Sequence, residues 1–393
     1  MIVRQFLQWQ RTASAAERAD ATSALARAYL YSDLSPDDRA AAEGALLMLL
    51  DDPSPLVRVA LAQALAVSEH APPTVILALA GDQPEIAAFV LEHSPLLLDA
   101  DLVDAVATFG APAQLAIASR DLLPPAVSAA IAEVGSPEAC LVLIENPRAG
   151  IAPFSLDRIV ERFGHLGAVR EAMLERDDLP APTRQGLVAK LAQALAGFVT
   201  ARAWLAEDRA QRMAKEACEK ATVILAAVSP GHEIAPLVRH LRESGQLNAG
   251  LVLRALLSGN IELFVQALAE LSDMPHMRVS ALVHDQRGTG FRALYRKAGL
   301  PESTYPAFCE AIEAMREGGF VGSPRGATSL KRRMVERVLT RCAEQSLGDI
   351  EPLLTLLRRF AAEAAREEAR MFCDDLLASD AMTPPYEPAQ VAA

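Results

Sequence analysis

Apolar residues recur along most of the chain at three- and four-residue spacing, the repeat of a helix that buries one face. Leu56, Val59, Ala60, Gln63 and Ala64 run i, i+3, i+4, i+7, i+8, with only Gln63 polar. Leu102, Val103, Val106 and Phe109 repeat the spacing in a shorter segment, as do Ile159, Val160 and Phe163 after Phe154. No stretch alternates with the period of two that a half-buried strand needs. The pattern predicts about a dozen helices of roughly 8–16 residues before residue 200, joined by turns of about 2–6 residues.

Helix starts are marked by Ser35-Pro36-Asp37-Asp38, Ser54-Pro55 and Ser136-Pro137-Glu138. A serine at the N-cap accepts an orphan backbone N–H, and proline at the first helical position loses no hydrogen bond. Gly110, Gly135 and Gly164 read as helix stops in the left-handed conformation that glycine tolerates. An apolar helix, an acidic corner with proline and a second helix recur with corners near Asp52, Asp82, Asp121, Asn146 and Asp178. That order is the mark of helical-pair repeats, each of which buries its apolar stripe only by stacking on a neighbour.

The unit "DDPSPLVRVALAQAL" (51–65) resembles the second half of a HEAT repeat, through Asp52, Val57, Arg58, Ala60 and Leu65. The resemblance implies an internal Arg–Asp ladder along the array, with Asp52 and Arg58 paired across this corner. Over its length the chain also resembles a bacterial family of uncharacterised HEAT-like proteins, most recognisably in "ALVHDQRGTGFRALYRKAGLP" (281–301). The expected fold is all-α, a HEAT-like α-α superhelix of helical hairpin repeats over residues 1–200. A C-terminal helical region, 201–379, follows. There, 201–228 reads as one long helix, 233–271 as helical pairs, and about 350–378 as a last helix. The last helix carries the stripe Leu353, Leu357, Phe360, Ala364 and Met371, which caps the array. The Pro/Ala-rich tail, 380–393, reads as disordered.

Composition supports this reading. Hydrophobic residues make up 51% of the chain but aromatics only 5%, so packing rests on Ala, Leu and Val, and strand formers are sparse. The five cysteines form no C-x-x-C pair, which fits free thiols in a reducing cytoplasm. The N-terminus lacks a signal-peptide core and no apolar run approaches a membrane span, so a soluble cytoplasmic protein is expected.

Charge changes the picture. The net −12 is uneven: residues 1–200 carry −11, whereas residues 274–345 carry +5. The basic segment holds Arg287, Arg292, Arg296 and Lys297. A glycine-interrupted loop follows (Gly318, Gly319, Gly322, Gly326) with Arg325, then a helix capped by Thr328 or Ser329 with Lys331, Arg332 and Arg333 in its first turns. Glycines admit a phosphate to the backbone and arginines clamp it, but no G-K-[ST] closes the loop as a Walker A motif. A solvated basic face, an anionic-ligand site and a contact for an acidic protein surface remain three readings of this segment.

No reaction signature appears. His232 and His240, and His276 and His284, lie eight apart, too far along a helix to share a metal ion. No nucleophile motif occurs, and the paired carboxylates fall at helix starts, corners or charged faces. Neither a cofactor nor a metal is expected. The leading expectation is a non-enzymatic interaction or scaffold protein whose acidic array meets a partner with a basic surface. The second is a binding module for a phosphorylated small ligand or nucleotide at 287–333. A HEAT-like DNA-repair glycosylase is more remote, because an acidic array repels duplex phosphates.

Overall fold

The computed structural model describes residue 9 and residues 12–285, 289–317, 330–344 and 351–381. Apart from one isolated bridge between Leu123 and Ala149, regular structure among them is helical. The chain divides into two compact units, residues 1–179 and 180–393.

The first unit contains α1 (Ala15–Tyr31), α2 (Pro36–Leu49), α3 (Pro55–Leu65), α4 (Pro73–Ala80), α5 (Pro84–His93), α6 (Asp99–Thr108), α7 (Ala111–Ala118), α8 (Pro125–Val134), α9 (Pro137–Glu145), α10 (Pro153–Phe163) and α11 (Gly167–Leu174). Proline sits in the first turn of most of them, where its missing N–H costs nothing. Each odd helix packs on the next odd helix, so α1, α3, α5, α7, α9 and α11 form one continuous row. In a second row α2 packs on α4, and α6 on α8 on α10. A helix between two such neighbours buries more than one stripe: α7 buries Ala113, Gln114, Ala116, Ile117 and Ala118.

Two details of the sequence reading change. The buried face of α3 is Val57, Leu61, Ala62 and Leu65, while Leu56 is 60% exposed. Gly110, Gly135 and Gly164 stand at helix ends but at φ −75°, −63° and −61°, none of them left-handed. At Gly110 and Gly135 the chain leaves the helix extended and enters the next one directly. Ser35 and Ser136 cap as expected, accepting the N–H of Asp38 and Ala139. The Ser54 hydroxyl makes no cap bond; its backbone N–H donates to Asp52 Oδ1 at 2.8 Å.

The second unit contains α12 (Ala181–Ala201), α13 (Glu207–Val228), α14 (Gly231–Glu243), α15 (Ala249–Ser258), α16 (Ile261–Ser272), α17 (His276–His284), α18 (Thr289–Lys297), α19 (Tyr305–Arg316), α20 (Arg332–Glu344) and α21 (Glu351–Ala381). The helix read as 201–228 starts at Glu207, because the chain reverses through Ala203 at φ 55°. At the centre lies α15, whose eight consecutive residues Leu251 to Ser258 are all buried. It packs on α13, α16 and α19, and Gly259 at φ 82° ends it with the left-handed turn that glycine adopts without strain. On α21, Leu353, Leu357, Phe360 and Ala364 are buried, whereas Met371 is 44% exposed. The stripe therefore packs within its own unit over its first part only.

Candidate functional site

Residues 1–179 carry 25 acidic residues and 12 arginines, and no lysine. Most of the described arginines bond within the unit. Arg18 donates from Nε and Nη2 to Asp52 at 2.8 and 2.9 Å, and Arg58 in the same way to Asp82 at 2.6 and 3.2 Å. Arg58 Nη1 also donates to the Asp52 backbone carbonyl at 2.6 Å. The expected side-chain pairing of Asp52 with Arg58 is thus replaced by two pairs, Arg18 with Asp52 and Arg58 with Asp82, stepped by one helix of the odd row. Each arginine reaches forward along the odd row to the corner before the next helix. Val57, one residue before Arg58, is fully buried between those rungs.

Further along, the same row closes its helix ends with donors to backbone carbonyls, Arg176 also pairing with Asp178. Arg120 donates to the Leu91 and Ser94 carbonyls, Asn146 to those of Ala118 and Arg120, and Arg176 to that of Ile144. In the second row Arg162 does this for Ala132 and Gly135. A cation or amide at a helix C-terminus satisfies orphan carbonyls and complements the dipole. Arg39 lies over the Tyr29 ring, Arg148 pairs with Asp121, Arg158 with Glu133 and Glu161, and Arg170 donates to the Gly164 carbonyl. Nine of the ten described arginines are consumed in these ways, Arg27 being the other. Asp37, Asp51, Glu85, Asp104, Glu138 and Glu171 stay exposed outside any ion pair among the described residues.

The cations singled out in the second unit fall on separate helices. Arg287 and Arg325, with the glycine loop and its capping Thr328 and Ser329, lie outside the described residues. On α18, Arg292 stands over the Tyr305 ring at 5.4 Å, Arg296 pairs with Glu302 at 2.5 Å, and Lys297 is exposed. At the start of α20, Arg332 pairs with Glu336 and Glu368, and Arg333 is exposed. Lys331 is half-buried, and burial pulls its ammonium below the usual lysine range.

The second unit also holds a cavity of about 420 Å³ that none of these cations lines. It lies between the antiparallel α12 and α13, beside the 244–248 turn. Ala189, Ala192 and Ala196 of α12 and Ala214 of α13 form its walls with Leu241 and Leu251. Gly245, at φ 69°, lets that turn double back and bring Gln246 and Asn248 to the cavity. Glu219 is 8% exposed; its Oε1 accepts from Asn248 Nδ2 at 3.1 Å. Asn248 in turn caps α15, accepting the Leu251 N–H. Behind this pair, buried Gln185 donates to Gln246 Oε1 at 2.6 Å, and its Oε1 meets His240 Nε2 at 3.0 Å.

Burial holds the Glu219 carboxyl above its ordinary range, opposed by the Asn248 bond and by the charges of Arg254 and Lys215. Burial likewise pushes the Cys218 thiol up, so at neutral pH it is a protonated packing group, not a nucleophile. Because the ionised carboxylate is disfavoured only in the folded state, Glu219 costs stability as pH rises from its unfolded pKa towards its raised folded one. Glu219→Gln keeps the acceptor for Asn248 and removes the charge. The variant is therefore expected to melt higher than wild type at pH 8, with the two curves converging towards pH 4. A pH-independent difference in a melting series would contradict the burial argument. Sequence reading passed over Gln185, Glu219, Gln246 and Asn248; the one local signal is the Asn N-cap before the apolar run at 251.

Among the described residues no cluster of His, Cys, Asp and Glu could hold a metal ion, and no helix is long and apolar enough to cross a membrane. What fold and sites define is an all-helical protein with a stacked, acidic first unit and a second unit built around a buried helix. The chain belongs to the family described as an uncharacterised protein conserved in bacteria (DUF2336), whose model matches residues 86–348. The match spans α5 to α20 and so includes the cavity and the basic segment. No curated protein and no solved structure matches the chain.

Proposed function

We propose that this protein is a non-enzymatic docking platform, a HEAT-like helical-repeat scaffold whose first unit receives a partner protein with a basic surface. The observation that carries this reading is that nine of the ten described arginines of residues 1–179 are engaged within the unit. Each cation spent on a ladder rung or a helix end leaves the carboxylates without local neutralisation, so the outward field is negative. Such a field steers a basic partner and weakens within a Debye length of about 8 Å at physiological salt. The buried, protonated thiols Cys140, Cys218 and Cys342 fit a reducing cytoplasm.

The test is capture by the full chain in a salt series, against the triple variant Asp37→Lys, Asp104→Lys, Glu138→Lys. A basic protein retained at 50 mM salt is expected to be lost near 300 mM, and to bind the triple variant about tenfold or more weakly. Retention of the same protein by the variant would remove the proposal. A phosphorylated ligand on the 287–333 segment is the weaker reading. The run Lys331, Arg332 and Arg333 at the start of α20 favours it; the carboxylates on Arg296 and Arg332 oppose it. Duplex nucleic acid is disfavoured by the acidity of the array.

A further inference from the structure

The α12–α13 cavity takes no part in the docking reading, and its geometry points to a second activity. We propose that it binds a small organic ammonium compound, with the cationic nitrogen against Glu219 and an apolar body between the two helices. Its volume, about 420 Å³, falls within the roughly 300–1,000 Å³ of small-molecule sites, and mostly apolar walls with a few convergent polar groups are their common make-up. Ala189, Ala192 and Ala196 recur on one face of α12, and Ala214 faces them from α13. Larger apolar residues at these places would close the hairpin; alanine leaves it hollow.

The floor selects the charge. Glu219 is the only acid among the lining residues and is more than nine-tenths buried. Its Oε1 is taken by Asn248, and its Oε2 has no hydrogen-bond partner among the described residues. The nearby cations do not neutralise it. Arg254 gives its Nη1 to both oxygens of Glu363, and Lys220 pairs with Glu363 and Glu367. Lys215, one turn before Glu219 on the same face of α13, forms no ion pair with it. A buried carboxylate with no cation hydrogen-bonded to it, Lys215 acting only at a distance, is stabilised by an ammonium that arrives with a ligand. A neutral ligand of the same length gains only the burial of its chain, and an anionic one is repelled by the carboxylate.

The probe is n-butylammonium chloride, with sodium butyrate and 1-butanol as controls of the same length, on the full chain at constant ionic strength. At 10 mM the ammonium is expected to raise the melting temperature of the second unit by about 2–4 °C, butanol to raise it less and butyrate to leave it unchanged. Glu219→Gln removes the shift without unfolding the chain. Ala192→Phe removes it by filling the wall, with Glu219 intact. Lys215→Met enlarges it, since a like charge leaves the pocket, whereas a merely structural lysine would not. No shift with butylammonium, an equal shift with butyrate or butanol, or an undiminished shift in Glu219→Gln would overturn the proposal.

Discussion

Replacing Glu363 with alanine is expected to destabilise the second unit by about 3 kcal/mol, because it strands a buried guanidinium. Arg254 sits mid-way along α15 and is 2% exposed. Its Nη1 meets both Glu363 oxygens at 2.8 and 2.9 Å, and its guanidinium lies over the Phe360 ring at 4.6 Å. Its Nε is buried with no hydrogen-bond partner. With Glu363 gone the guanidinium keeps the Phe360 ring and the more distant Glu219 charge, but loses its hydrogen-bonded counter-ion. The double variant Arg254→Met, Glu363→Met removes both charges at similar volume and is expected to recover most of the loss. Urea unfolding of both variants measures the coupling. Equal destabilisation in the two would mean that the pair is not the unit of stability at this place.

Asp52→Ala is expected to lower the melting temperature of the first unit by about 5 °C or more. Asp52 is 4% exposed and accepts both prongs of Arg18 together with the Ser54 N–H. Alanine leaves all three donors without an acceptor in a corner where water reaches only part of the Arg18 side chain. Asp82 does a similar task for Arg58 but is more open, with 17% of its side chain exposed against 2% for Asp52. Asp82→Ala should therefore cost visibly less. Differential scanning calorimetry of the full chain reads both. If Asp82→Ala proved the more damaging, the graded burial along the ladder would not be what sets its strength.

How far the sequence carries this picture differs from place to place. The all-helical class and the helix starts are legible because Ala, Leu and Pro act locally: propensity and the missing proline N–H need no neighbour. Register is less legible. In α3, Leu56, Val57, Val59, Leu61 and Ala62 are all apolar, so periodicity cannot choose between adjacent faces; the flanking α1 and α5 choose Val57 and Leu61. Asp52 and Arg58, six apart, look like a local pair, but their charged partners stand 34 and 24 residues away. Only the stacking of the odd row sets that step. Glu219 is the least legible. On a helix that also carries Glu207 and Glu216 it looks like another solvated acid; the 244–248 turn and α15 are what bury it.

A helix buried over eight consecutive residues has a consequence for how the chain is made. Leu251 to Ser258 leave the ribosome long before α19 and α21, and the Glu363 that answers Arg254 is synthesised 109 residues later. Until then an eight-residue greasy segment with a charge at its middle stands half-dressed, the kind of species that draws chaperones and aggregation. Nascent chains stopped short of α21 carry that burden permanently, so the second unit acquires its centre first and its reason to stay folded last.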